Sequence, residues 1–119
     1  MDRRRLIITA VSIVSFVVLM LVTPRIPQDP SYHDFADQRN FIGIPNTLNV
    51  ISNFPYLVIG LLGFLLCLHP TYLGLSSKGE VWGFAIFHIG ILATAFGSGY
   101  YHWNPNNSTL VWDRLPVSV

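Results

Sequence analysis

Residues 81–103, with the sequence VWGFAIFHIGILATAFGSGYYHW, decide the fold class of this chain. The stretch contains no Asp, Glu, Lys or Arg, and its length satisfies the roughly 20 residues that a membrane-crossing helix needs. Two earlier stretches, residues 6–22 and about 46–68, are also free of these charged residues. The sequence therefore predicts an all-α membrane protein with three transmembrane helices.

The overall composition supports the same class and excludes others. Hydrophobic residues make up 51% of the chain and charged residues 11%, and the mean hydropathy is +0.48, which is high for a soluble domain. The net charge is only +1 and the sequence has no long basic run, so it lacks the basic patch that is typical of nucleic-acid-binding proteins. The single cysteine, Cys67, excludes an intramolecular disulfide.

Three segments divide the chain. Residues 1–23 are predicted to be an N-terminal signal-anchor helix, because three arginines precede an apolar run and no small-x-small cleavage site follows it. Residues 24–45 form a polar loop with an acidic segment, and residues 46–119 contain a helical hairpin followed by a polar motif. Under the positive-inside rule the N-terminus is cytosolic, and the loop and the segment after Trp103 lie on the other side.

Polar residues coincide at one end of the predicted hairpin. Asn46, Asn49 and Asn53 are spaced i, i+3 and i+7, which places them on one helical face. Ser98 and His102 are spaced i and i+4 on the third helix. Because adjacent transmembrane helices are antiparallel, the start of the second and the end of the third meet at the same surface. Polar side chains at membrane depth are costly and indicate a functional site.

Each of these residues also has a structural interpretation. The asparagines can hydrogen-bond helices together, Ser98 can allow close helix packing, and His102 can be an ordinary interfacial residue. Asp113 lies beside Arg114 and can form a surface ion pair of little energetic value. Zinc would explain the combination, but His88 lies about 21 Å from His102 along the helix and cannot share an ion with it. The residues by themselves therefore indicate only part of a metal site.

Three strings of the sequence resemble the alkaline ceramidase family, particularly its plant and bacterial branch. They are YHDFADQRNFIGIPNTLNVISN at residues 32–53, GSGYYH at residues 97–102 and VWDRLP at residues 111–116. The resemblance covers about residues 30–119. It implies that the chain is the N-terminal part of a seven-helix bundle that holds zinc and hydrolyses the amide bond of a ceramide-like lipid. It further implies an integral protein of the endoplasmic reticulum or Golgi membrane with a lipid substrate, and it leaves the protein partners unknown.

The resemblance also implies roles for single residues. His102 would be a zinc ligand, Ser98 would lie near the ion and the substrate carbonyl, and Asp113 would be the general base. The family carries two further zinc histidines in a His-x-x-x-His motif, which this sequence lacks, so we expect a truncated chain with no turnover on its own. The alternative is a non-catalytic membrane protein that is receptor-like, lipid-binding or a structural remnant.

A calcium site is the last implication of the resemblance. Asp34 and Asp37 match acidic positions that bind calcium in the animal members of the family. Asn46 stands where a carboxylate is expected, and Arg39 replaces an oxygen ligand. Because Ca²⁺ requires about 6–8 oxygen ligands, these replacements predict weak calcium binding.

Overall fold

The computed structural model describes residues 2–24 and 26–118, and its regular elements are helical. Within these residues, three helical stretches are long and apolar enough to cross a membrane, namely Arg3–Val22, Thr47–Cys67 and Lys78–Trp103. This confirms the predicted all-α class with three helices able to span a membrane, whereas the seven-helix bundle stays a prediction of the resemblance. The α-helices are α1 (Arg3–Val22), α2 (Thr47–Ile51), α3 (Phe54–Cys67), α4 (Lys78–Trp103) and α5 (Asn107–Val117). Short 3₁₀ helices occupy Pro30–His33 and Pro70–Leu73.

The second apolar stretch is not the single continuous helix that the sequence predicted. Its helix is interrupted at Ser52 and Asn53, between α2 and α3. Pro55 accounts for the interruption, because proline has no N–H to donate and its ring clashes with the carbonyl four residues earlier. Asn46 lies outside the helix, with a left-handed φ of 47° that asparagine tolerates better than most residues. The three asparagines therefore do not belong to one helical face.

Glycines bring α3 and α4 into close contact. A Cβ atom at Gly60 would lie 2.6 Å from the backbone nitrogen of Leu92, and one at Gly63 would lie 1.8 Å from the ring of His88. Close approach through small residues is typical of helix packing in membranes, where no hydrophobic driving force exists between helices. The Nδ1–H of His88 donates to the carbonyl of Phe84, 2.7 Å away, so this imidazole is partly satisfied within its own helix.

A capping box starts α4 at Lys78, three residues earlier than predicted. Ser77 Oγ accepts a hydrogen bond from the backbone N–H of Glu80, and the Glu80 carboxylate accepts one from the backbone N–H of Ser77. These bonds satisfy donors that every helix start leaves unpaired. The helix then continues to Trp103 and delivers Ser98 and His102 to its far end.

The sequence did not predict α5. Asn106 caps it by accepting hydrogen bonds from the backbone N–H groups of Ser108 and Thr109, at 2.8 and 3.0 Å. The helix then turns back along α4, and a Cβ atom at Gly97 would lie 1.8 Å from the carbonyl oxygen of Trp112. The segment after Trp103 is thus packed on the hairpin, and it carries Asp113 to the end of α4. In contrast, no residue of α1 is buried.

Candidate functional site

His102 is held by two asparagines from the beginning of the second apolar stretch. Nδ2 of Asn53 lies 3.2 Å from Nδ1 of the His102 ring. Nδ2 of Asn46 donates to the backbone carbonyl of His102 at 2.9 Å, which satisfies one of the carbonyls that a helix end leaves without a partner. Asn49 faces elsewhere and donates to the backbone carbonyl of Asp37 at 2.8 Å. Two of the three predicted asparagines therefore converge on His102.

Ser98 and Asp113 lie on the two helices that meet beside this histidine. Ser98 is one helical turn before His102 on α4 and is buried. Asp113 is half-buried on α5, close enough for its charge to act on the His102 ring. Within residues 2–24 and 26–118, no direct hydrogen bond joins Ser98, His102 and Asp113 to one another. The three predicted catalytic residues share one end of the α4–α5 pair without forming a hydrogen-bonded triad.

The residues of the predicted calcium site have separate partners. Asp37 forms a bidentate ion pair with Arg39, with O–N distances of 2.7 and 2.9 Å. The side-chain hydrogen bonds from Arg39 lower the pKa of the Asp37 carboxyl from 3.8 to about 2. Asp34 accepts a hydrogen bond from Gln38, and Asn46 donates to His102. The Asp37 carboxylate that a calcium ion would need is thus already paired with Arg39. Calcium binding therefore stays a prediction of the resemblance.

The residues predicted to bind zinc do not form a complete ligand set. A catalytic zinc takes three protein ligands, whereas this end of α4 offers one imidazole, His102, and one carboxylate, Asp113. In the described part of the chain, no group of three or more His, Cys, Asp or Glu residues is placed to hold a metal ion. These residues alone do not fit a catalytic zinc, so its presence stays a prediction of the resemblance.

Sequence reasoning missed a segment that covers the site. Residues 26–45, called the strap below, lie across the end of α4 and α5. Nδ1 of His33 lies 2.9 Å from the hydroxyl oxygen of Tyr101, and Nε2 of His33 is buried with no hydrogen-bond partner in the described residues. The Phe35 ring meets the His102 ring edge to face at 5.1 Å between centroids. Arg114 donates to the Tyr32 hydroxyl at 3.1 Å.

The far end of the strap is attached to the start of α5. The backbone N–H of Gln28 donates to the Asn107 side chain at 2.8 Å, and the Asn107 amide donates back to the Gln28 carbonyl at 3.4 Å. The sequence carries no signal for these contacts, since their partners are 79 positions apart.

The arrangement combines an imidazole, a buried hydroxyl and a carboxylate at the end of an apolar helix pair. Such groups can donate, accept and move protons at a membrane surface. Comparison of the chain with protein-family models, with curated proteins and with solved structures finds no match in any of the three. The functional interpretation of the site therefore depends on its geometry and on the three strings of sequence that resemble the alkaline ceramidase family.

Proposed function

We propose that this chain contributes His102, Ser98 and Asp113 to a membrane-embedded amidase that acts on ceramide-like lipids. The observation that carries the proposal is the fixed position of His102, which Asn53 and Asn46 hold at the end of an apolar helix. Ser98 lies one turn earlier on the same helix, and Asp113 lies on the helix packed beside it. At the end of a membrane-crossing helix these groups would face the interfacial region of the bilayer, where a ceramide carries its amide bond.

In this proposal each group has a role that its chemistry permits. Asp113 accepts a proton from the attacking water, and the hydroxyl of Ser98 donates a hydrogen bond to the amide carbonyl. Water adds to the amide carbonyl carbon, the C–N bond breaks as Asp113 passes its proton to the leaving nitrogen, and the products are a fatty acid and a sphingoid base. The zinc that the resemblance predicts would require at least one ligand beyond His102 and Asp113.

The test is hydrolysis of a ceramide with a labelled acyl chain by the complete gene product in membranes. We expect His102→Ala and Asp113→Ala to lower the rate by about 10²-fold or more, since general acid–base groups contribute about 10²–10⁴-fold. His69→Ala is the matched control, because His69 lies at the opposite end of the hairpin. Full activity of either site variant, in stable protein, would contradict the proposal.

The zinc prediction has its own measurement. Dialysis of the same membranes against a chelator should abolish hydrolysis, and added Zn²⁺ should restore it. Activity that survives complete metal removal would reject zinc while leaving the amidase assignment standing. The proposed location in the endoplasmic reticulum or Golgi is tested by fluorescence microscopy of a tagged product.

One observation favours a second candidate, a non-catalytic membrane protein. The Asn46 amide donates to the His102 backbone carbonyl, and the Asn53 amide lies within hydrogen-bond distance of the His102 ring, so both link the second apolar stretch to α4. A purely structural role, in which the bonds hold helices together at about 0.6–2 kcal/mol each, is sufficient to explain them. This candidate predicts that His102→Ala lowers thermal stability in detergent while the unaltered gene product shows no amide hydrolysis.

A further inference from the structure

The turn at residues 41–44, called the tip below, exposes large apolar side chains. Ile42 is 100% exposed and Phe41 is 47% exposed. Ile42 also has a φ of 56°, in the left-handed region that is strained for a β-branched residue. Contacts within the described residues therefore do not explain an isoleucine at this position. A strained and fully exposed apolar residue indicates a contact with something outside the chain.

Hydrogen bonds tie the tip to Thr47, the first residue of an apolar stretch that can cross a membrane. The Thr47 hydroxyl accepts a hydrogen bond from the backbone N–H of Phe41 at 2.8 Å and donates one to the carbonyl of Ile44. The backbone N–H of Thr47 donates to the carbonyl of Arg39 at 3.0 Å. Thr47 is buried, so water does not compete for these bonds. The tip is thus held directly beside the start of the stretch.

The length of that stretch places the tip at the edge of the hydrocarbon core. Thr47–Cys67 contains 21 residues. At a rise of about 1.5 Å per residue it extends over about 31 Å, close to the core thickness of about 30 Å. When the stretch crosses the bilayer, Thr47 therefore lies where the core meets the headgroups.

A charged pair precedes the tip along the chain. Arg39 is paired with Asp37, and its guanidinium lies 6.0 Å from the centroid of the Phe41 ring. Arginine can keep its charged group in water while its stem lies against apolar surface. Apolar side chains beside charged ones are typical of segments that lie in the membrane interface.

We propose that the tip inserts into the membrane interface, where Phe41 and Ile42 contact the upper part of the lipid acyl chains and anchor the strap to the bilayer. The partner is the bilayer because the tip is bonded to the start of a stretch that lipid itself surrounds. The expected depth is about 5–10 Å into the boundary between headgroups and acyl chains. Detergent solvates the Ile42 side chain in the folded and the unfolded protein alike, so this contact adds little to the free energy of unfolding.

The experiment is methyl NMR of the unaltered full chain, labelled at isoleucine, in phosphatidylcholine nanodiscs. The Ile42 signal is assigned from its loss in Ile42→Asn. A lipid that carries a spin label high in its acyl chain should broaden the Ile42 signal, whereas a water-soluble gadolinium chelate should broaden it much less. Ile13, near the middle of α1, is the reference and should respond most to a spin label at the end of the acyl chain.

The variants test whether Ile42 anchors the tip. In Ile42→Asn, the spin-labelled lipid should broaden the neighbouring Ile44 signal less than in the unaltered protein, because a polar side chain does not insert. Ile42→Leu is the matched control and should keep the broadening, since leucine is apolar and of the same size. Unchanged Ile44 broadening in Ile42→Asn would overturn the anchoring role.

Two results in the unaltered protein would overturn the proposal, and neither depends on a variant that folds. Strong broadening of the Ile42 signal by the gadolinium chelate alone would place the tip in water. Protection of the Ile42 signal from both agents would show that protein, either a second copy of the chain or another partner, covers the tip.

Discussion

At the scale of single residues, Ile42 occupies a backbone conformation that does not suit it. Its φ is 56°, Gly43 follows with φ 77°, and the N–H of Ile44 donates to the carbonyl of Phe41 at 3.0 Å. Two central residues with positive φ define the tight turn in which Asn-Gly is strongly preferred, and the left-handed region is strained for a β-branched side chain. The Ile42 side chain is fully exposed, so packing does not compensate for this strain.

We therefore expect Ile42→Asn to stabilise the protein by about 1 kcal/mol, within the usual cost of left-handed backbone for a non-glycine residue. The measurement is equilibrium unfolding in detergent. Ile42→Val is the control and should give no gain, because valine is also β-branched. A loss of stability in Ile42→Asn would show that the isoleucine side chain makes a favourable contact.

Asp37 provides a pH-dependent prediction at the same scale. Arg39 lowers the pKa of its carboxyl from 3.8 to about 2, so the ion pair is complete above pH 3.8 and is lost as the pH falls towards 2. Arg39→Gln should return the pKa towards 3.8, as measured by ¹³C NMR of the carboxyl group. Arg114→Gln is the control, since that guanidinium contacts Tyr32, and an equal rise in both variants would contradict the assignment.

At the scale of helices, the contact between α4 and α5 depends on Gly97. A Cβ atom there would overlap the backbone of Trp112, which cannot move as a side chain can. We expect Gly97→Ala to destabilise the protein by about 1–3 kcal/mol through overpacking. Gly99→Ala, two residues later on the same helix, meets nothing within 4 Å and should be tolerated. Equal unfolding midpoints for the two variants in detergent would refute the contact.

The strap depends on its contacts with the helices beneath it. Tyr101→Phe removes the hydroxyl that meets His33, and a typical hydrogen bond contributes about 1 kcal/mol. Amide hydrogen exchange in residues 28–38 should therefore become about fivefold faster. Tyr100→Phe is the matched control, because Tyr100 is exposed on the same helix. Unchanged exchange in Tyr101→Phe would mean that other contacts alone hold the strap.

At the scale of the whole molecule, three spans fix which loops share a membrane surface. If each of the three candidate helices crosses the membrane once, residues near 76 lie on the side of the N-terminus and residues near 108 on the opposite side. In a Cys67→Ser background, Ser76→Cys in sealed microsomes should react with an impermeant maleimide. Ser108→Cys should react only after detergent is added. Equal labelling of both before detergent would exclude this topology.

The sequence alone predicted the three apolar helices that the structure contains, and it grouped the candidate site residues near one end of the hairpin. Charge-free stretches of sufficient length predict membrane helices because the hydropathy and length of a segment can be read from the sequence without knowing what the segment packs against. The spacing of Ser98 and His102 likewise follows from helical periodicity, and all residues quoted for the site lie near one end of the hairpin.

Only the tertiary structure decided how those residues are joined. The Asn53 amide meets a ring 49 positions away, Asn46 meets a carbonyl 56 positions away, and His33 meets a hydroxyl 68 positions away. Local propensity cannot predict these contacts, because each forms only once the helices have packed. The packing depends on glycines that allow close helix contact, and the neighbouring residue that each glycine contacts is known only once the helices have packed. The strap and α5 are therefore properties of the folded chain.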